Sequence, residues 1–577
     1  MLDFRNTNTL WAAVLVETLA RLGLTTAIIS PGSRSTPLTV AFARHPHIQA
    51  IPILDERSAS FFALGTAKAS GRPTVLVCTS GTAGANYFPA VIEAYESEVP
   101  LLVLTADRPP ELRDCASGQT IDQQKLFGHY GRGYGELALP EATLAQLRYL
   151  RQAIAHFWQR CQSPVAGPVQ VNCPFRDPLA PIATETASDL QGAIDETFFH
   201  HLEEAVPPTA WAVPVAMPAP WGQTERGLII AGPAQPQNPA AYCGAIATLA
   251  QALGWPVLAD GLSPLRHHAA LNPHLITTYD LLLRHPHHAE ALVPEQVIQL
   301  GALPTSKVLR QWLAHTDPRR WIVTRSDRHQ DPLHGRATPL PVALEALVAH
   351  LPEGAGLHPY AKDWHERDAI ARQRLTAQLH PPDLWFEGKV SWLLPQLLPP
   401  HMPLVIANSM PVRDVEWFTP PSDRGLRPYV SRGANGIDGT LSTALGVAHH
   451  HGRAVLLTGD LALLHDSNGL LNAIQRDLHL TILLMNNHGG GIFESLPIAQ
   501  FEPPFEDFFA MPQTVDFAAL AAAHGVSYAV VSDWDTLAAH LSTGFTPGVR
   551  LLELPCDRKL DAQRRQMLLN TTGDFQI

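Results

Sequence analysis

Short apolar runs recur along the chain, each closed by small or polar residues. In the first third these are "TAIIS", "AIPIL", "TVLVCTSG" and "PLLVLTADRP", separated by stretches with helical periodicity. This alternation predicts a parallel α/β sheet, with Gly, Ser, Thr and Asp gathered in the loops at the strand ends. A second series follows: "GLIIAGPAQP", "WPVLADG", "QVIQLGALP" and "RWIVTRSD". A third runs from "PLVIANS" through "AVLLTGD" and "LTILLMNN" to "VRLLELP". The fold class expected is α/β, with three parallel-sheet domains over residues 1–190, 205–355 and 383–577. The Pro-rich stretch from Ala205 to Gly222 breaks all periodicity and reads as a linker. A polar helix near "HPYAKDWHERDAIARQRL" joins the second series to the third.

The outer series echo one another. "TVLVCTSGTAGANYFPAVIEAYESEVPLLVLTADRP" and "AVLLTGDLALLHDSNGLLNAIQRDLHLTILLMNNHGG" share one layout of strand, polar turn, helix and strand. Two domains of one topology on either side of an unlike middle one is the reading that follows.

Composition narrows the picture. Only 16% of the 577 residues are charged and 46% are hydrophobic, as in folded, well-buried protein. A net charge of -12 argues against a general nucleic-acid grip. Six scattered cysteines without a C-x-x-C pair fit reduced thiols in a cytoplasmic enzyme. The first helix-like segment, "NTLWAAVLVETLARLGL", carries Glu17 and Arg21 and is no signal peptide. No apolar run approaches the ~20 residues that span a bilayer. A protein of the cytoplasm, with no membrane or nucleic-acid partner, is expected. The histidine runs at His285–His288 and His449–His451 lack metalloprotease spacing and read as surface clusters.

The candidate chemistry sits where the third series ends its strands. Gly459-Asp460 closes one apolar run and Asn486-Asn487 closes the next. Ligands of parallel sheets bind outside the carboxyl ends of the strands. A carboxylate and an amide there suit a hard divalent cation that completes its shell with phosphates. Gly489, Gly490 and Gly491 let the backbone approach and offer a carbonyl. Taken singly, the Asp also reads as a helix cap and the Asn pair as a turn.

Jointly, Gly-Asp, helix, strand, Asn-Asn resembles the thiamin-diphosphate signature, with Leu461 where that signature usually repeats glycine. Thiamin chemistry also needs a poorly solvated carboxylic acid beside the pyrimidine, and "ILDERSASFFALG" offers Glu56 after an apolar run. As an isolated triplet, Asp55-Glu56-Arg57 reads equally as a capping charge cluster.

"ISPGSRSTPL", "ILDERSASFFALGTAKASGRP", "LTADRPPELRDCASGQTIDQ", "SRGANGIDGTLSTALG", "TGDLALLHDSNGL" and "NNHGGGIF" together resemble one family. It is the 2-succinyl-5-enolpyruvyl-6-hydroxy-3-cyclohexene-1-carboxylate synthases of menaquinone and phylloquinone biosynthesis. In that family Leu461 is the usual residue. The resemblance implies decarboxylation of 2-oxoglutarate and 1,4-addition of the remaining unit to isochorismate, with thiamin diphosphate and magnesium (or manganese) as cofactors. It implies that Glu56 switches the pyrimidine tautomer and that Asp460, Asn487 and Gly489 hold the metal. Gly459, Leu461, Ile437, Ile492 and Phe493 contact the cofactor, with Ile437 propping its bend. Both substrates are dianions, which favours arginine forks. Ser33, Arg34, Arg108, Gln119, Lys307, Ser409, Arg413 and Arg432 are the substrate-binding candidates. Val308 stands where the family often has arginine. "QFEPPFEDFF", Gln500 to Phe509, reads as a mobile cover or as an aromatic patch closing the core. A homodimer or homotetramer with sites at the subunit interface is expected.

Overall fold

The computed structural model describes residues 2–184, 187–194, 196–202, 217–349, 351, 354, 356–473, 478–542 and 548–576. The linker expected from Ala205 lies outside the described residues as far as 216; beyond it, Ala219–Gln223 forms a short 3-10 turn. The chain divides into two compact units. The first takes in Met1–Ala210, Ser431–His450 and Asp466–Asn472; the second takes in Trp211–Val430, His451–His465 and Ala473–Ile577.

The first unit is built on a six-stranded sheet. Its strands are β1 (Thr26–Ile29), β2 (Gln49–Pro52), β3 (Thr74–Cys78), β4 (Leu101–Asp107), β5 (Gly133–Glu136) and β6 (Pro168–Pro174). They lie in the order β2-β1-β3-β4-β6-β5, with every pairing parallel. β3, β4 and β6 are buried along their whole length, as strands covered on both faces must be. The edge strand β5, "GYGE", is only half-buried.

The second unit holds two sheets. The first of them comprises β7 (Gly227–Ala231), β8 (Val257–Ala259), β9 (Leu275–Ile276), β10 (Gln296–Leu300), β11 (Arg319–Val323) and β12 (Ala337–Leu340). The other comprises β13 (Pro403–Ile406), β14 (Arg427–Tyr429), β15 (Ala454–Gly459), β16 (His479–Asn486), β17 (Ser527–Val530) and β18 (Gly548–Pro555). The middle sheet runs β12-β11-β10-β7-β8-β9, the doubly wound dinucleotide-type order. The last runs β14-β13-β15-β16-β18-β17, the same order, strand for strand, as the first sheet. The echo between the outer series is thus one topology used twice, and the unlike middle is a different winding of the same layers. All three sheets are parallel, as the alternation of apolar runs and helices predicts.

In the first and last sheets the strand order reverses between the first and third strands. Crevices for ligands open at such switch points, outside the carboxyl ends of the strands. The loops after β1 and β3, and after β13 and β15, therefore stand where binding groups are expected.

Within the first unit, the helix Glu56–Ser70 meets the helix Thr440–His451 at two glycines. A Cβ on Gly65 would overlap the Thr443 carbonyl, and one on Gly446 would overlap the Phe62 carbonyl. Thr66 Oγ1 adds a 3.4 Å hydrogen bond to the Gly446 carbonyl. The two backbones touch because neither residue has a side chain to hold them apart.

The histidine run at His285–His288 departs from the expected surface cluster at His288, while His287 is exposed. His288 is fully buried, its Nε2 is 3.1 Å from the Gly573 carbonyl, and Arg367 bonds its other ring nitrogen. His287 reaches the Phe575 carbonyl at 2.7 Å. The run packs against the 573–575 segment, a contact between residues almost three hundred apart in sequence that no local pattern announces. Among the described residues no helix is long and apolar enough to cross a membrane, and all six cysteines are free thiols.

Candidate active site

On the last sheet, β15 pairs with β16 so that Gly459 lies opposite Met485. The next residues, Asp460 and Asn486-Asn487, leave the sheet side by side at its carboxyl edge. Asp460 is 2% exposed. Its Oδ1 accepts from Leu461 N at 2.9 Å and its Oδ2 from Gly489 N at 2.8 Å. Burial pushes the Asp460 carboxyl up to about 6, against the pull of those two N–H groups. Gly489 makes the turn with φ +135°, where a Cβ would overlap the Ala510 carbonyl.

The two asparagines do different work. Asn486 Nδ2 binds Glu553 Oε1 at 2.8 Å, tying β16 to β18. Asn487 Nδ2 donates to Glu387 Oε2 at 2.9 Å, and its Oδ1 is buried with no hydrogen-bond partner. An acceptor oxygen without a donor is costly in a protein interior. A desolvated carboxylate beside an orphaned amide oxygen is the donor set a hard cation satisfies. No atom lies within 4 Å of a Cβ placed on Gly459, so the space beside the turn is open. Magnesium with a diphosphate fits these residues.

In the first unit, Asp55 caps the helix Glu56–Ser70 by accepting from Arg57 N and Ser58 N. Asn468 Nδ2 holds the other Asp55 oxygen at 2.9 Å. Capping is thereby assigned to Asp55, and Glu56, half-buried in the first turn, makes no side-chain hydrogen bond among the described residues. Glu56 faces Cys78 and Tyr87, whose pKa values are raised by burial first and by the Glu56 charge as a smaller cause.

Two arginines lie at the carboxyl ends of the first sheet, one of them bonded to Ser80 in the loop after β3. Arg34, after β1, is 8% exposed; its Nη1 donates to the Phe175 carbonyl at 2.9 Å and its Nε is buried without a partner. Arg108, after β4, donates to Ser80 Oγ at 2.6 Å and to the Gly118 carbonyl at 2.8 Å. Burial lowers the Arg34 pKa, and repulsion from Arg108 lowers it further. Gln119 adopts φ +55° and ties back to the Ser80 carbonyl at 3.0 Å. Ser33 is exposed in the loop before Arg34. Arg34 Nη1 also stands 3.9 Å from Asp177 Oδ1, and its Nε remains a buried donor without a partner.

The remaining candidates are placed as follows. Ser409, after β13, holds φ 74° and ψ -125°, a strained backbone for serine of the kind that marks functional loops. Arg413, one turn on, bonds the Ser409 carbonyl. Arg432 and Ile437 lie in the first unit, and Ile437 is half-buried before the helix Thr440–His451. Their loop is fastened to Glu93, which accepts from Gly433 N at 3.1 Å and Ala434 N at 2.7 Å while paired with buried Lys68 at 3.2 Å. Lys307 is exposed at the start of a helix after β10, and Val308 packs against the core of the middle sheet. Ile492 and Phe493 form the turn after the glycines, and Phe493 meets Phe509 edge-on at 5.8 Å. The segment Gln500 to Phe509 serves both readings: Phe505 is buried, whereas Phe501 and Phe508 are exposed.

One group behind Asn487 has no motif to reveal it. Arg565 Nη2 meets Glu387 Oε1 at 2.5 Å, and its Nε meets Asp414 Oδ1 at 2.7 Å. Asp561 lies beside them, and burial, then Glu387, push its carboxyl up to about 7. A carboxyl so raised favours the folded state when protonated; that stability is complete below the unfolded value of 3.8 and is lost as pH rises through about 7. Asp561→Asn therefore leaves urea stability unchanged below pH ~4 and raises it by about 1–3 kcal/mol above pH ~8. Urea melts at the two pH values check this.

Three models of thiamine pyrophosphate enzymes match the chain. The N-terminal TPP binding domain covers residues 11–126, the middle domain 214–406 and the C-terminal TPP binding domain 420–553. With the twin sheets and the Asp460–Asn487 edge, these define a thiamin-diphosphate enzyme. Curated relatives carry one name, 2-succinyl-5-enolpyruvyl-6-hydroxy-3-cyclohexene-1-carboxylate synthase. That of Nostoc sp. is 54% identical over 99% of both chains, and that of Synechococcus sp. 55% identical over 98% of this chain and 96% of its own. That of Trichodesmium erythraeum is 51% identical over 100% of each. The chain belongs to this synthase family.

Proposed function

We propose that this protein converts 2-oxoglutarate and isochorismate into 2-succinyl-5-enolpyruvyl-6-hydroxy-3-cyclohexene-1-carboxylate and CO2, in menaquinone or phylloquinone biosynthesis. What carries this reading is the pair of arginines, Arg34 and Arg108, on the sheet that bears Glu56, in a chain that matches the named synthases end to end. Thiamin diphosphate, when bound, supplies the carbon nucleophile and the electron sink that decarboxylation needs.

The chain's own residues do the rest. Asp460, Asn487 and the Gly489 carbonyl would hold magnesium together with the diphosphate. Glu56 would hold and exchange a proton beside the pyrimidine, a role open to it because Asp55 does the capping. Ile437 would give the cofactor an apolar support, and Gly459 and Leu461 would shape the turn beside it. Arg34, Arg108, Arg413 and Arg432 grip substrate carboxylates through charge-assisted forks, with Ser33, Gln119, Lys307 and Ser409 adding hydrogen bonds. Ile492 and Phe493 would keep water out of the cofactor site. The domains are read as pyrimidine-binding (1–190), middle (205–355) and diphosphate-binding (383–577), in a cytoplasmic homodimer or homotetramer with sites at subunit interfaces.

The test is an assay with 2-oxoglutarate, isochorismate, thiamin diphosphate and Mg2+, following isochorismate absorbance. Isochorismate disappears only when all components are present. Release of succinic semialdehyde at one rate with or without isochorismate would instead make the protein a simple decarboxylase.

A further inference from the structure

We infer that Glu387 is a positioning residue for the metal site: it fixes the Asn487 amide with nitrogen inward and oxygen toward the metal. This rests on the reading of Asn487 as a metal ligand. The two ends of a carboxamide are alike in shape and opposite in hydrogen bonding. An ionised carboxylate only accepts, so it selects the NH2 of a facing amide. Glu387 Oε2 takes Asn487 Nδ2 at 2.9 Å, which leaves Oδ1 as the buried atom without a protein partner.

Glu387 is itself immobilised. Arg565 Nη2 binds its other oxygen at 2.5 Å, and the same guanidinium holds Asp414 with Nε at 2.7 Å and Nη2 at 3.0 Å. All four residues are buried, and they come from four separate segments of the second unit. The arrangement passes a fixed polarity from Asp414 to Arg565, to Glu387, to the Asn487 amide. Residues that orient a ligand in this way matter to metal affinity nearly as much as the ligand does.

Glu387→Gln reverses that polarity. Beside a guanidinium, the new amide turns its oxygen to Arg565 and its NH2 to Asn487. Asn487 must then flip, presenting nitrogen where the metal needs oxygen. Mn2+ affinity, titrated by electron paramagnetic resonance with thiamin diphosphate present, falls about 10- to 100-fold. Adding Asn487→Asp to Glu387→Gln restores affinity, because a carboxylate offers oxygen both to the Gln NH2 and to the metal. Asn487→Asp alone sets two carboxylates face to face and weakens Mn2+ binding. If Glu387 were mere scaffold, that single change would leave affinity equal or tighter, since an added anion attracts a dication. This last variant decides the matter even if Glu387→Gln does not fold. Asn487→Ala separates the two layers. Parent-like Mn2+ binding in that variant sinks the ligand reading itself. Weakened binding there, with parent affinity in Glu387→Gln, overturns only the positioning role.

Discussion

Glu56→Gln lowers turnover of 2-oxoglutarate with isochorismate by about three orders of magnitude, within the range of ~10²- to 10⁴-fold for a lost general acid. Thiamin diphosphate and Mg2+ still bind, because Glu56 takes no part in the metal site proposed at Asp460. The helix also survives: its first turn is capped by Asp55 through two N–H groups, and Gln is as good a helix former as Glu. Stopped assays for turnover and a fluorescence titration for thiamin diphosphate read the two effects separately. Equal losses of binding and turnover would place Glu56 in the scaffold and not in the chemistry.

Asp460→Asn removes metal-dependent cofactor binding, with Mn2+ affinity down by about two orders of magnitude or more, beyond the 10- to 100-fold typical of residues that only orient a ligand. Two N–H groups point at the two oxygens of this carboxylate, from Leu461 and from Gly489. An amide can satisfy one of them and must turn its own NH2 toward the other. The loss is therefore of charge and of the Gly489 turn together. The readout is Mn2+ titration by electron paramagnetic resonance with thiamin diphosphate present. Retained affinity would locate the cation elsewhere.

The central strands could be read from the chain because burial on both faces forces apolar runs. β3, β4, β15 and β16 are such runs, and the polar residues that end them stand at the carboxyl edges of the two sheets. The edges could not. β5 is "GYGE", β14 is "RPY" and β17 is "SYAV", short and partly exposed strands whose pairing is decided by the neighbouring strand. Local pattern also suffices for Asp460 and Asn487, which sit on adjacent strands within one supersecondary unit. It fails for Glu387 and Arg565, which are 178 residues apart and meet only when the last sheet is complete. Buried charge pairs of this kind look like ordinary surface residues in a sequence. The same failure hides His288, whose partner carbonyl is 285 residues away.

The glycine contact between the helices Glu56–Ser70 and Thr440–His451 sets a limit on how this enzyme can move. With Gly65 against the Thr443 carbonyl and Gly446 against the Phe62 carbonyl, sliding either helix would break this fit and the Thr66–Gly446 hydrogen bond. Glu56 begins one of these helices and Ile437 lies three residues before the other. The acid and the prop proposed above thus ride on two helices fastened to each other, like two marks on one ruler. Under the proposed roles, any movement that admits the two dianions falls to segments outside this contact.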